Sequence, residues 1–236
     1  MNRSPKRARK VGNDWAIATG RRPVEEFLRQ AATFGAYPSP TQVDQVRSYV
    51  AEILRWNRKI NLTTAKGPEE LLLIHVLDSL VPLAHLSDVK SLLDVGPGAG
   101  FPGIPIKILR PQLFVVLLEA RRKKAAFIQH VVDRLDLKGV EVVWARLGDE
   151  EVNLRFSEKP FDAMITRAAL SGSQVIRLGA PLLRPGGTML LMKGVIEEPQ
   201  QVEMEQEAAS LGRIVTQAVP YRLPGLKHKR NLVLIR

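Results

Sequence analysis

Six short apolar runs alternate with amphipathic segments after residue 90, and this alternation limits the fold more than any other feature of the chain. The runs are SLLDV (91–95), FVVLLEA (114–120), VEVVWA (140–145), FDAMIT (161–166), TMLLMK (188–193) and NLVLI (231–235). Between the second and third runs, Ile128, Val131, Val132 and Leu135 recur at helical spacing. Short buried strands that alternate with helices predict a mostly parallel sheet with helices on both faces.

The chain before this pattern is predicted to be mainly helical. Val43, Val46 and Val50 follow the predicted capping residue Thr41 at helical spacing, and a second apolar run extends over 71–86. We therefore predict a disordered basic arm over 1–12, an N-terminal helical cap over 13–90 and a doubly wound α/β domain over 91–236.

The chain has a surplus of positive charge that favours a polyanionic partner. Lys and Arg number 35 against 24 acidic residues, for a net charge of +11. Only five of these cations (Arg3, Lys6, Arg7, Arg9 and Lys10) lie in the arm, so the surplus extends beyond it. Nucleic acid is the usual partner for such a surface.

Several classes of protein are excluded by what the sequence lacks. The absence of cysteine rules out disulfides, thiolate metal sites and a thiol nucleophile, and none of the four His residues forms an H-x-x-x-H pair. No apolar stretch reaches the length of a membrane span, and no apolar segment follows the basic N-terminus as in a secretory signal. We expect a cytoplasmic protein without a metal.

A glycine-rich turn follows the first apolar run and has the sequence DVGPGAGFPG (94–103). A phosphate-binding loop would need Gly-Lys-Ser/Thr, which is absent. Gly98, Gly100 and Gly103 match a dinucleotide fingerprint, but they lie too far beyond the strand, which ends near residue 95. S-adenosylmethionine fits better, because Asp94 and Glu119 could serve its amino group and ribose while the glycines allow close backbone approach.

Six blocks of the chain together point to one family. They are WNRKINLT (56–63), HVLDSL (75–80), LLDVGPGAGFPGIPI (92–106), TRA (166–168), LMKG (191–194) and RNLVLI (230–235). In this order they resemble the glucose-inhibited division protein B family, also called RsmG, whose members are bacterial small-subunit ribosomal RNA methyltransferases. The resemblance covers about 45–236, and Glu119 stands where some members carry Asp, which keeps the carboxylate.

The resemblance implies a Rossmann-like class I methyltransferase sheet, mostly parallel with an antiparallel last strand, beside an N-terminal helical cap. It implies transfer of a methyl group from S-adenosyl-L-methionine to N7 of a guanine in the 530 loop of 16S rRNA, leaving S-adenosyl-L-homocysteine. The implied partner is 16S rRNA or the small ribosomal subunit, and we expect a monomer that does not bind membranes. The alternatives are a methyltransferase for another RNA, a small molecule or a protein, a dinucleotide oxidoreductase, and a non-catalytic ribosome-assembly module.

Arg167 is the predicted catalytic residue. Guanine N7 has a lone pair and no proton, so its methylation needs orientation of the base and no general base. An arginine cannot accept a proton, but it can donate to guanine O6 or to a phosphate. The alternative for Arg167 is an ion pair with Asp162 or with the loop that follows it.

The remaining predicted site residues fall into two groups. The predicted cofactor-binding residues are Asp94, Gly96, Gly98, Gly100, Phe101, Glu119, Leu147, Gly148 and Arg167. The predicted RNA-binding residues are Asn61, His75, Arg146, Lys193 and Arg230. Arg146, Leu147 and Lys193 follow or end strands, at the edge where parallel sheets bind ligands. The alternatives are a structural His75 and solvated rim charges at 146 and 193. The basic clusters 121–124 and 227–230 are predicted to be further phosphate contacts, and the alternative for them is a role in solubility.

Overall fold

The computed structural model of the chain describes residues 21–167 and 170–236. The predicted arm over 1–12 lies outside the described residues. Within the described ranges, no helix has the length and apolar character needed to cross a membrane.

Seven strands form a single sheet in the order β3-β2-β1-β4-β5-β7-β6. Their bounds are β1 Ser91–Val95, β2 Phe114–Leu118, β3 Val140–Val143, β4 Phe161–Arg167, β5 Leu183–Lys193, β6 Val215–Tyr221 and β7 Arg230–Ile235. All pairs from β3 to β5 are parallel, and β7 runs antiparallel to both of its neighbours. The predicted class I methyltransferase sheet with an antiparallel last strand is confirmed. The strand order reverses between β1 and β4, where such sheets bind their ligands.

Helices cover both faces of the sheet. The apolar side chains of each strand alternate between these faces, so that they pack into two separate clusters. The helices are α1 Arg21–Thr33, α2 Pro40–Asn57, α3 Pro68–Glu70, α4 Gly103–Leu109, α5 Arg122–Arg134, α6 Glu150–Phe156, α7 Gly172–Gly179 and α8 Glu198–Ser210. Leu92 of β1 faces the cluster formed with α1, α2, α4 and α5, whereas Leu93 faces the cluster formed with α6, α7 and α8. This alternation is the period-two pattern of a buried strand.

The N-terminal helices belong to the same apolar core as one face of the sheet. Phe27 of α1 and Tyr49 and Ile53 of α2 are buried in the cluster that contains Leu92. The N-cap of α2 is Ser39, which accepts a hydrogen bond from the backbone of Gln42, and the prediction of Thr41 as the cap was wrong. Pro40 occupies the first helical position, where its missing N–H costs nothing.

The apolar run over 71–86 is helical but irregular. Helix α3 continues into a π-helical turn over Leu71–Val76, and a 3₁₀ turn follows over Val81–His85. Turns of the π type often occur at functional sites. The π-helical segment carries His75 near its end, and Asp78 follows two residues after it.

Strand β6 has no counterpart among the six predicted strands. Its sequence VTQAVPY is mostly exposed and contains Pro220, and it lies at the edge of the sheet. An edge strand pairs on one side only and tolerates proline, so it lacks the apolar run that identifies a central strand.

Candidate active site

The glycine-rich turn connects β1 to α4 at the point where the strand order reverses. Gly96, Gly98 and Gly100 have φ values of 68°, 63° and 98°, a region that side chains with a Cβ rarely adopt. The turn is also closely packed, because a Cβ on Gly103 would lie 2.4 Å from Leu117 Cδ2 and 2.6 Å from Asp94 Oδ2. The sequence therefore needs glycine here both for conformation and for space.

The cap contacts this turn through a buried tyrosine. The Tyr49 hydroxyl of α2 donates a 2.7 Å hydrogen bond to the carbonyl oxygen of Ala99, and its ring lies 5.4 Å from that of Phe101. A Cβ on Gly100 would lie 2.9 Å from the same hydroxyl. The helical cap thus holds the turn in place, which the sequence alone did not indicate.

Asp94 lies beneath the turn, outside the pocket wall. Its Oδ2 accepts a 2.7 Å hydrogen bond from the Gly103 backbone, and its buried Oδ1 has no hydrogen-bond partner among the described residues. Burial raises the pKa of this carboxyl to about 7, although the Gly103 bond and the Arg167 charge act in the opposite direction. A buried acceptor without a partner is costly, so Oδ1 is a candidate contact for a cationic or donor group of a ligand.

Glu119 follows β2 and closes the opposite side of the turn. Its Oε2 accepts from the Gly98 backbone and its Oε1 from the Arg121 backbone, each at 2.9 Å. A carboxylate has about four acceptor positions, so each oxygen can accept a further hydrogen bond. Glu119 can therefore hold the turn and still accept from two hydroxyl groups.

A cavity of about 610 Å³ opens over the glycine turn and brings together most of the predicted site residues. Of the predicted residues, its wall contains Gly96, Gly98, Phe101, Glu119, Leu147, Arg167, His75 and Arg146. It also contains residues that were not predicted from the sequence, from α7 and from the loop between α2 and α3, which we call the cap loop. They are Leu62, Thr63, Thr64, Gln174 and Leu178. Asp94, Gly100, Gly148, Asn61, Lys193 and Arg230 lie outside the wall.

Arg167 ends β4 and is held by three contacts. Its Nη1 donates to Asp78 Oδ2 and its Nη2 to His75 Nδ1, both at 3.2 Å, and its guanidinium carbon lies 4.8 Å from the centre of the Phe101 ring. These contacts use two of the five N–H donors of an arginine. The side chain is 15% exposed and lines the cavity, so further donors can face a ligand there.

The alternative ion pair between Arg167 and Asp162 is wrong. The two residues lie five positions apart in one strand, which places their side chains on opposite faces and about 16 Å apart. Asp162 instead pairs with Arg184 at 2.6 Å and accepts from the backbone of Lys90 and Ser91.

His75 is neutral at physiological pH and acts as an acceptor. Burial, reinforced by the charge of Arg167, lowers its pKa to about 4. Because Arg167 can only donate, the His75 Nδ1 accepts and the ring proton lies on Nε2. The ring also stacks on Phe101 with centroids 5.3 Å apart.

Asp78 connects four parts of the fold and was not predicted as a site residue. Besides Arg167 of β4, its buried carboxylate accepts from the Tyr221 hydroxyl of β6 at 2.7 Å and lies 3.5 Å from Arg230 Nε of β7. The predicted RNA contact Arg230 is therefore partly neutralised by an ion pair within the protein. The partners of Asp78 are distant in sequence, so no local pattern reveals them.

Two other predicted RNA contacts lie outside the cavity. Asn61 is exposed, and it is Asn57 that shapes the cap loop, by accepting from the backbone of Leu62 and Thr63 and donating to the Thr63 carbonyl. Lys193 ends β5 and donates to the carbonyl oxygen of Leu170 at 3.1 Å, and burial lowers its pKa. Their roles toward RNA stay predictions.

Comparisons with known proteins agree with this geometry. The family model for rRNA small subunit methyltransferase G matches residues 42–233. The ribosomal RNA small subunit methyltransferase G of Roseiflexus castenholzii is 37% identical over 214 residues, which cover 90% of this chain and 91% of the relative.

Two solved methyltransferase structures share the fold. An O-methyltransferase from Bacillus cereus in complex with SAH aligns with a TM-score of 0.56 at 18% identity and covers 80% of this chain and 90% of its own. Aeropyrum pernix fibrillarin with natively bound S-adenosyl-L-methionine aligns with a TM-score of 0.52 at 15% identity and covers 62% of this chain and 66% of its own.

Proposed function

Because this chain belongs to the rRNA small subunit methyltransferase G family, we propose that it transfers a methyl group from S-adenosyl-L-methionine to N7 of a guanine in the 530 loop of 16S rRNA. One observation carries the proposal: the glycine turn, Glu119 and the Arg167 guanidinium line one cavity. The turn and the carboxylate suit a nucleoside, and the guanidinium suits a guanine. The proposed substrate is the RNA of the small subunit, and the proposed product of the cofactor is S-adenosyl-L-homocysteine.

The residues around the cavity fit S-adenosyl-L-methionine. Glu119 can accept from two ribose hydroxyls, and the carboxyl of Asp94, buried beneath the turn, can favour the cationic amino group through its negative charge. Backbone at Leu147, after β3, suits the adenine. When bound, the cofactor supplies an electrophilic methyl group on a sulfonium.

The chemistry at guanine needs no proton transfer. The N7 lone pair forms the new bond to the methyl carbon while the bond between that carbon and sulfur breaks. The electron pair of the broken bond stays on sulfur. Neither of the two ordinary proton acceptors in the described wall is assigned to the guanine, since Glu119 accepts from two backbone N–H groups and is proposed to bind the ribose, and His75 accepts from Arg167. The task of the chain is therefore to orient the base, and Arg167 can do so through guanine O6.

The experiment is methyl transfer to small ribosomal subunits that lack the modification. We expect the full chain to transfer labelled methyl groups from S-adenosyl-L-methionine, with one labelled guanine that aniline cleavage maps to N7. Calorimetry should show binding of S-adenosyl-L-homocysteine and no binding of NAD. A methyl group on an exocyclic amine, or tight RNA binding without transfer, would contradict the proposal.

Glu119→Gln is expected to weaken binding of S-adenosyl-L-homocysteine about 10- to 100-fold, the cost of losing hydrogen bonds to a charged group. The amide would point a donor at one of the two backbone N–H groups and would accept more weakly from a ribose. Calorimetry measures the change. The matched control is Glu141→Gln on β3, outside the cavity wall, which should bind as the wild type does. An unchanged affinity in Glu119→Gln would exclude a ribose contact.

A further inference from the structure

An exposed tryptophan lies next to residues that line the cavity. Trp144 follows β3 and is 59% exposed. Its Nε1 donates to the carbonyl oxygen of Ala120 at 3.2 Å, and the guanidinium of Arg122 lies 5.4 Å from the centre of its ring. The ring is therefore held in one orientation although most of it contacts water, which is costly for so large an apolar group.

The ring lies beside the cavity but is not part of its wall. Ala145 and Arg146 on one side of it, and Ala120 beside its Nε1, line the cavity, whereas Trp144 does not. Strands β2 and β1 separate β3 from β4, so three strand spacings place the Trp144 end of the sheet roughly 14 Å from Arg167. A nucleotide on Trp144 would thus be a neighbour of the target guanine and not the guanine itself.

Positive charge lies at the start of α5 and just beyond the ring in the chain. Arg122 lies against the ring, Arg121, Lys124 and Arg146 line the neighbouring cavity, and Lys123 lies between Arg122 and Lys124 in α5. None of them forms an ion pair with a carboxylate within residues 21–167 and 170–236, and Lys124 Nζ reaches the turn near Gly98. Cations at the start of α5 oppose the helix dipole, so their presence lowers helix stability slightly instead of raising it.

We propose that Trp144, backed by Arg122, is a stacking platform for an unpaired base of the RNA substrate next to the target guanine. This inference rests on the proposed function, because it takes RNA as the substrate. Every nucleobase has an apolar face that stacks on an aromatic ring, and a strand that stacks there brings its phosphates to the neighbouring cations. Lipids and acidic peptides could use the cations but offer no planar face for the ring.

The experiment separates stacking from charge by comparing two strands of equal length, a short oligoadenylate and a ribose–phosphate strand that lacks bases. Stacking on an aromatic side chain contributes enough that Trp144→Ala should bind the oligoadenylate about tenfold more weakly. Its affinity for the abasic strand and for S-adenosyl-L-homocysteine should not change. Trp144→Phe should restore most of the binding, and the oligoadenylate should quench a tryptophan emission that Trp144→Phe lacks.

Two variants provide controls. Arg122→Ala should weaken binding of both strands and reduce the salt dependence by about one phosphate contact. Tyr37→Ala removes another exposed aromatic ring, outside the cavity wall, and should bind both strands as the wild type does.

Several outcomes would overturn the platform. One is that Trp144→Ala loses the same affinity for both strands, and another is that it loses affinity for neither. A third is that Trp144→Ala binds small subunits more weakly but binds protein-free RNA as the wild type does, which would mean that the ring contacts a ribosomal protein. Failure of the proposed function is distinguishable, because it would appear as absent N7 methylation by the wild type even if Trp144 still binds oligoadenylate.

Discussion

Replacing Arg167 with Ala is expected to lower the rate of methyl transfer to small subunits by about 100-fold or more, the cost of a misplaced reacting group. The guanidinium lies over Phe101 and is fixed by Asp78 and His75, so it is oriented before any ligand arrives. Removing it leaves the glycine turn and Glu119 intact. Affinity for S-adenosyl-L-homocysteine should therefore fall much less than the rate, because the turn and Glu119 supply the other proposed cofactor contacts.

Arg167→Lys distinguishes orientation from charge. The ammonium can still pair with Asp78, so the variant should unfold at a urea concentration close to that of the wild type. It lacks the planar fork that stacks on Phe101 and contacts a base edge, so most of the activity should still be lost. Single-turnover rates at saturating subunit concentration make the comparison. A rate near that of the wild type in either variant would remove Arg167 from its proposed role.

The position of Arg167 was accessible from the sequence, and its environment was not. A strand followed by Thr-Arg-Ala, in a chain whose first strand ends at a glycine turn, places the arginine at the ligand-binding edge of a parallel sheet. Its partners Asp78 and His75 lie 89 and 92 positions away. Packing of the cap on the sheet brings them together, and packing between distant segments leaves no period in the sequence.

For the two acids at the turn, Asp94 and Glu119, the position could likewise be predicted from the sequence but the surroundings could not. Strand ends near 94 and 119 were predictable from the apolar runs, and the structure places both acids beside the turn. The close approach of α4 engages Asp94 Oδ2 with the backbone of Gly103, outside the cavity wall, whereas Glu119 accepts from the backbone of Gly98 and Arg121 and lines the cavity. The sequence therefore predicts which strand ends meet and cannot predict which carboxylate faces the ligand.

The cap loop was missed because its signal was attributed to the wrong residue. The block WNRKINLT contains two asparagines, and only Asn61 was considered. Asn57 lies at the end of α2, where a side-chain amide can bond the backbone that leaves the helix, and it brings Thr63 and Thr64 to the cavity. Asn at the end of a helix is a recognisable pattern, so this residue could have been found.

Replacing Asp78 with Ala is expected to lower the free energy of unfolding by about 3–5 kcal/mol, as breaking a buried ion pair does. The carboxylate is fully buried and faces Arg167, Arg230 and the Tyr221 hydroxyl, and burial together with the Asp78 charge raises the pKa of Tyr221. Its removal leaves two largely buried guanidinium groups without their carboxylate. Urea denaturation with tryptophan fluorescence measures the loss.

Three variants separate the buried charge from ordinary contacts. Tyr221→Phe removes one hydrogen bond and should cost about 1 kcal/mol. Arg29→Ala removes the exposed pair with Glu26 and should leave the urea midpoint almost unchanged. Asp78→Asn keeps the shape of the side chain, so an activity loss in that variant without unfolding would mean that the carboxylate positions Arg167 as well as stabilising the fold. A loss below about 1 kcal/mol in Asp78→Ala would mean that water reaches both arginines and that the cap and the sheet are not joined through this charge.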